Sequence, residues 1–514
     1  MNRAWQKFVE TYLSIDRRVL GAFRIAYGLV LLYDLARRAA VLELMYSNDG
    51  VLSNHYVMFR PQADYQLSLL DNFSTPNEVR LAFALIALVY VLYTLGLFTR
   101  LTKLLALVCL ASLDARNLFV EDGGVSTLIL LGVWTLFLPV GEYLSLDSLR
   151  VEAGLRRLRE RLVWRRAAST PAVSFAVLAL TLQLCAIYWL NAAHKTGATW
   201  EHGEAVHYVL WQRRVVTELG YWLAWHEPSW LSPVATYGAL VIEWLLPLLA
   251  LYPFGVWPRV AAFAAALALH GGIALVLTLG PFSYAMLVLV MLRVPWPAFQ
   301  ALGQLWPLRS RRRWQLWRAR FTRWLRHAGP SWARLRRAPP LRPRWRYVPE
   351  ALVALFAYAA IADMGAGNRA FPLRLARPPW VRAINGYPRF LQRWNMFAPD
   401  APTDDGAGVI DATTQSGRHI DPFTGEAPNF DVLERGPLAH GSIPADYLFH
   451  IHFEHNQVYR QELTRYLREW HAHEGRGAAD RIVRFELWWL TKPSPPPGQL
   501  ESGPTQRELI FRGP

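Results

Sequence analysis

The sequence predicts an all-α polytopic membrane bundle of about nine transmembrane helices with a small C-terminal α+β extracytoplasmic domain. Three observations predict it. Of 514 residues, 53% are hydrophobic and only 18% charged, whereas soluble domains hold about a quarter charged residues. Apolar runs long or nearly long enough to cross a bilayer recur between residues 19 and 364, and arginine is shared unevenly among the loops that join them. After residue 364 the chain turns polar, with proline and glycine punctuation.

The nine runs are Val19–Ala36, Leu81–Phe98, Leu101–Leu113, Thr127–Val140, Val173–Leu190, Val234–Tyr252, Val260–Leu279, Phe282–Leu292 and Val348–Met364. The third and eighth are short for a hydrocarbon core of about 30 Å and are expected to tilt, kink or continue into polar turns. Arg24 and Asp34 within the first run imply a face packed on protein, because lipid does not accept a charge. No cleavable signal peptide is expected, since the first run lacks an Ala-x-Ala exit and continues into Arg37 and Arg38. Cys109 and Cys185 both fall inside runs, which predicts small buried residues and neither a disulfide framework nor a cysteine-rich metal site.

Charge sets the expected orientation. Pro295–Tyr347 contains fourteen arginines and no acidic residue, and Gly141–Pro171 is also arginine-rich. Val41–Glu78 instead sets Glu43, Asp49, Asp64, Asp71 and Glu78 against Arg60. Basic loops stay inside, so the N-terminus is expected in the cytoplasm and the tail in the periplasm of a bacterial inner membrane. Four regions follow: a bundle at 1–294, a basic cytoplasmic linker at 295–347, a ninth transmembrane helix at 348–364 and an outer domain at 365–514. In the linker Trp314, Trp317, Phe321, Trp324 and Leu325 fall at helical spacing among arginines, the pattern of an amphipathic helix on anionic lipid headgroups; nucleic acid is not the expected partner. In the tail, Val409–Thr413 and Arg418–Asp421 read as a hairpin across 414–417 and Asp446–Trp470 as mostly helix. Arg481–Thr491 and Arg507–Arg512 read as strands.

Chemistry centres on the end of the fifth run, where Tyr188, Trp189, Asn191, His194 and Lys195 precede Trp200. A lysine desolvated among such neighbours favours its neutral amine and becomes usable as a base; the alternative is an ammonium that merely snorkels to headgroups. His202, Glu204 and His207 match no metallohydrolase spacing, and no metal is expected. His450, His452 and Glu454 scatter around a helix and read as surface. Gly123 and Gly124 read as a turn at a span entrance where backbones approach closely.

Several short motifs carry a resemblance. His194-Lys195 with trailing Trp200, His270 twelve residues before Phe282-Ser283-Tyr284, Leu138-Pro139, Ser145–Leu149 and Trp394-Asn395-Met396-Phe397 resemble the vitamin K-dependent gamma-glutamyl carboxylase. They are closer still to its bacterial relatives, the horizontally transferred transmembrane domain family. The resemblance implies that Lys195 is a base toward a reduced quinone resembling vitamin K hydroquinone. In the carboxylase, oxygen then turns the quinol into a strong base that removes a γ-proton from a peptide glutamate, and carbon dioxide adds. By the same resemblance His270 would orient the base or hydrogen-bond the quinone. Tyr188, Trp189, His194 and Trp200 would contact the cofactor, with Asp122 as a polar partner. One departure stands out: Asp122-Gly123-Gly124 occupies the place of Asn-Asn-His, so the family's histidine is a glycine. Two functions are therefore expected in alternative. One is a lyase or monooxygenase acting on an exported peptide or lipid-borne substrate. The other is a non-catalytic factor that binds quinone, lipid or a client protein for maturation or secretion.

Overall fold

The computed structural model describes residues 2–154, 170–304, 316, 319–320, 347–434 and 436–514. Nine helices build the bundle among them: α1 (Arg17–Ala39), α2 (Pro76–Leu95), α3 (Thr99–Arg116), α4 (Gly123–Thr135), α5 (Phe175–His194), α6 (Leu231–Leu251), α7 (Trp257–Val276), α8 (Phe282–Met291) and α9 (Val348–Gly367). Polar side chains cap α1, α2, α4 and α5. Asp16 caps α1 through Arg18 N at 2.8 Å, Thr75 and Glu78 form a reciprocal capping box on α2, and Ser174 caps α5. Gly96 ends α2 in the left-handed conformation, and a Cβ there would lie 2.7 Å from the Arg24 guanidinium carbon.

Six helices, α1, α2, α5, α6, α7 and α9, are long and apolar enough to cross a membrane. The other three expected spans differ for physical reasons. Helix α3 has 18 residues but carries Arg100, Lys103, Asp114 and Arg116. Helices α4 and α8 have 13 and 10 residues, or roughly 20 and 15 Å of rise. Both are largely buried, although Tyr284 of α8 is exposed, so protein rather than lipid surrounds them over most of their length.

Long-range contacts sort the loops into two ends. At one end Arg24 donates to Val140 O (3.0 Å) and Leu144 O (2.5 Å), Tyr12 to Leu251 O (2.9 Å), and Phe175 N to Glu350 (3.0 Å). At the other, Arg116 reaches Leu52 O (2.8 Å), Thr217 N bonds Val276 O (2.9 Å), and Asn368 holds Gln392 O (2.6 Å). Arg24 and Asp34 are buried, Asp34 against Arg38 at 2.8 Å, as a protein-packed face of α1 requires. Between the two ends apolar side chains lie open: Leu81, Leu85 and Leu88 on α2, Val234, Val241 and Leu248 on α6, and Leu267 and Leu275 on α7. Soluble chains rarely expose such a belt, and the chain reads as a membrane protein.

The tail forms a four-stranded antiparallel sheet ordered β2-β1-β3-β4, from β1 (Asp404–Thr414), β2 (His419–Ile420), β3 (Ile482–Pro493) and β4 (Gln506–Gly513). The expected hairpin and both later strands are present, β1 starting five residues earlier through pairing of Asp404–Gly408 with β3. The expected long helix is two, α10 (Ser442–Ile451) and α11 (Arg460–His473). Arg460 caps the first by donating to Ile451 O (3.2 Å), His452 O (2.7 Å) and Phe453 O (3.3 Å), so the chain turns there. Tyr459, Leu463, Tyr466 and Leu467 form the buried stripe. Of the two histidines read as surface, His450 bonds Asp446 O and His452 stacks on Trp489 at 4.0 Å. The aromatic stripe Trp314–Leu325 lies outside the described residues.

Candidate functional site

Three helices meet at the centre of the site, each for a reason in its sequence. Helix α5 is buried over most of its circumference, with Phe175 and Leu182 on its open side, so polar groups on the buried part must find partners within the protein. Helix α6 buries one stripe, Ser232, Thr236, Glu243, Leu246 and Ala250, which turns its lone carboxylate inward. Helix α7 buries only Ala262, Ala266 and His270, at intervals of four, so small residues admit close packing and His270 follows on the same face.

Lys195, the residue after α5, donates to both oxygens of Glu243, at 2.7 and 2.8 Å. Their side chains are 5% and 8% exposed. Asn191, one turn earlier, donates to the same Glu243 oxygen at 2.9 Å and accepts from Met396 N at 2.9 Å. The ammonium lies 4.2 Å from the Trp200 ring centre, and the Trp200 indole is fixed by Phe397 O at 2.8 Å. Lys195 is therefore held in a buried ion pair, and the snorkelling alternative does not describe its geometry. Alongside, the Tyr188 hydroxyl and His270 Nε2 share a 2.7 Å hydrogen bond, and the His270 ring meets Phe282 edge-on at 5.6 Å. His270 Nδ1 is buried without a hydrogen-bond partner among the described residues.

The segment 389–400 closes over this cluster. Arg389 anchors it to Asp114 (3.1 Å) and Glu121 (2.6 Å). Gln392 and Gln183 exchange hydrogen bonds inside the bundle, and Asp400 accepts from Thr199 N at 2.8 Å. The motif Trp394–Phe397 thus touches Asn191 and Trp200 through its backbone.

The remaining expected residues lie around the cluster with other partners. Trp189 Nε1 donates to Trp244 O at 3.1 Å on the α5–α6 seam. His194 bonds Leu190 O at 2.6 Å through Nδ1 and receives Ala370 N at 3.4 Å on Nε2. Asp122 caps α4, accepting from Gly124 N and Val125 N at 2.9 Å, and pairs with Arg37 at 2.6 Å. A Cβ on Gly124 would fall 2.3 Å from Phe282 N, so the close backbone approach leaves no place for a histidine. Glu243 was not among the expected residues; the signal for it was a single carboxylate inside an otherwise apolar run.

His207, one of the histidines weighed for metal, ties the loop after α5 to the C-terminal domain. Nδ1 contacts Glu227 at 2.6 Å and Nε2 contacts Pro495 O at 2.8 Å. Burial alone would lower its pKa, but Glu227 and the Pro495 carbonyl raise it above its ordinary 6.5. Only the imidazolium donates from both nitrogens. A raised histidine contributes stability fully below its unfolded pKa and loses it as pH rises through the folded one. Hydrogen exchange near Pro495, corrected for intrinsic rate, should therefore be faster at pH 9 than at pH 6, and His207→Gln should remove that difference. Equal protection of the wild type at both pH values would refute the tie.

Among the described residues no group of three histidine, cysteine, aspartate or glutamate side chains is placed to hold a metal ion. No protein-family model, curated protein or solved structure matches the chain.

Proposed function

We propose that the chain is a nine-span protein of a bacterial inner membrane, with its N-terminus cytoplasmic and the domain after residue 365 periplasmic. It binds a reduced quinone beside Lys195 and His270 and uses it to modify an exported peptide or lipid-borne substrate, as the resemblance to vitamin K-dependent gamma-glutamyl carboxylase implies. The observation that carries this reading is the unpartnered Nδ1 of His270, buried beside Tyr188 and Phe282. A buried polar atom without a partner is costly, and a quinol or quinone oxygen is a partner suited to an apolar, aromatic-lined site in a membrane. The donor set fits the group.

A reduced quinone bound there supplies an acidic hydroxyl and two electrons. His270 and Tyr188 would orient it, with Nε2 of His270 fixed by the Tyr188 hydroxyl. Lys195 would pass its proton to Glu243 and take up another at Nζ from a hydroxyl held against it, leaving the pair with one more proton than before. Trp200 and the segment 394–397 exclude water from the amine. Oxygen and carbon dioxide would be the co-reactants if the chemistry is carboxylation.

One observation favours the second reading, a non-catalytic quinone-, lipid- or client-binding factor: the Gly124–Phe282 approach excludes the side chain the carboxylase carries at that position. Organic extraction of protein purified from its native membrane, followed by an assay of quinol oxidation, separates the two. Phospholipid alone contradicts the quinone site; where quinone is present, quinol oxidation by the purified protein supports the enzyme, and bound quinone without turnover supports the binding factor.

A further inference from the structure

The stretch that leads into α6 carries apolar surface that the spans do not account for. A short helix, Glu218–Trp225, is capped by the Thr217 hydroxyl, which accepts from Gly220 N at 3.0 Å. Gly220 and Ala224 form its buried side. A Cβ on Gly220 would lie 2.2 Å from Val276 O, so the helix backbone sits directly against the end of α7. Thr217 N bonds the same carbonyl at 2.9 Å. Helical spacing puts Leu219 and Trp222 on the opposite side, where they are 48% and 54% exposed. Trp225 is open as well, and Trp230, the residue before α6, is 61% exposed.

Scattered apolar side chains on a surface are ordinary, but a contiguous patch calls for a cover. This patch is continuous at both ends with the open apolar belt of the spans. The Thr217 hydroxyl donates to Leu275 O at 2.8 Å, and Val234 follows Trp230 by one turn; Leu275 and Val234 both belong to the belt. Tryptophan is favoured at the level of the lipid headgroups. Residues 217–230 hold no lysine or arginine, so attraction to anionic headgroups does not hold the segment there. Gln212, just before it, donates to Asp404 O of β1 at 2.9 Å, which places the segment at the end of the bundle that carries the sheet.

We propose that residues 218–230 lie in the membrane surface on the sheet's side of the protein. Leu219, Trp222 and Trp230 enter the boundary between headgroups and acyl chains, and uncharged lipid suffices. The sheet domain, bonded to this loop through Gln212, is thereby held close to the lipid. The inference rests on the membrane reading of α6 and α7 and is independent of the quinone proposal.

The test is spin-label accessibility in the full chain, freed of its two cysteines by Cys109→Ala and Cys185→Ala and reconstituted in phosphatidylcholine vesicles. Nitroxides at Leu219→Cys, Trp222→Cys and Trp230→Cys should collide several-fold more with oxygen than with a water-soluble nickel chelate, as one at Leu275→Cys in the belt should. A label at Gln415→Cys, exposed in the hairpin turn, should show the reverse preference. Adding phosphatidylglycerol or salt should leave these ratios unchanged. If Trp222→Cys does not fold, positions 219 and 230 decide. A preference for nickel at 219 and 230, weak collision with both reagents as a covering protein would give, or an oxygen preference seen only with phosphatidylglycerol would overturn the proposal. A preference for nickel at Leu275→Cys would overturn the membrane reading along with it.

Discussion

Lys195→Arg should remove quinol-dependent activity while leaving the protein folded and inserted. Arginine can grip both Glu243 oxygens as a fork and so preserve the ion pair. It cannot surrender its proton in a protein, so the exchange with Glu243 that frees an amine is lost. General base catalysis is worth roughly 10²–10⁴-fold, and quinol oxidation should fall by that much. Near-normal rates in a variant with normal thermal unfolding would show that Lys195 only ties α5 to α6.

The second large effect is on stability. Glu243→Leu leaves the Lys195 ammonium 5% exposed without a carboxylate and takes an acceptor from Asn191. Breaking a buried pair from one side costs about 3–5 kcal/mol. Lys195→Met/Glu243→Leu removes both charges, and its stability should recover most of that loss. A cost for the single variant of about 1 kcal/mol or less, as for an exposed pair, would mean that water reaches the pair. Denaturant unfolding of wild type, single and double variants in one detergent measures all three.

How far the sequence could be read depended on how local each cause is. The alternation of basic and acidic loops anticipated which loops share an end, because each loop's charge is its own property. Arg24 and Asp34 announced a protein-packed face for the same reason. The hairpin at 414–417 is also local. The break after Ile451 was not, since it depends on Arg460 folding back onto three carbonyls. Helices α4 and α8 looked like marginal spans because apolar composition does not distinguish a helix facing lipid from one facing protein. At the site, Lys195 was legible as an ionisable group at the end of an apolar run with Tyr188 and Trp200 beside it, whereas His270 entered only through the family resemblance. Glu243 met the same criterion, yet its pairing with Lys195 depends on the facing of α5 and α6.

The most direct measurement of the central claim is the quinone content of the protein itself. Wild type purified from native membrane should carry close to one quinone per chain, quantified by mass spectrometry of its extracted lipids. His270→Phe keeps a ring against Phe282 but loses both ring nitrogens, and should lose most of that quinone while retaining its phospholipid. Equal quinone in wild type and His270→Phe, or none in either, would contradict the account.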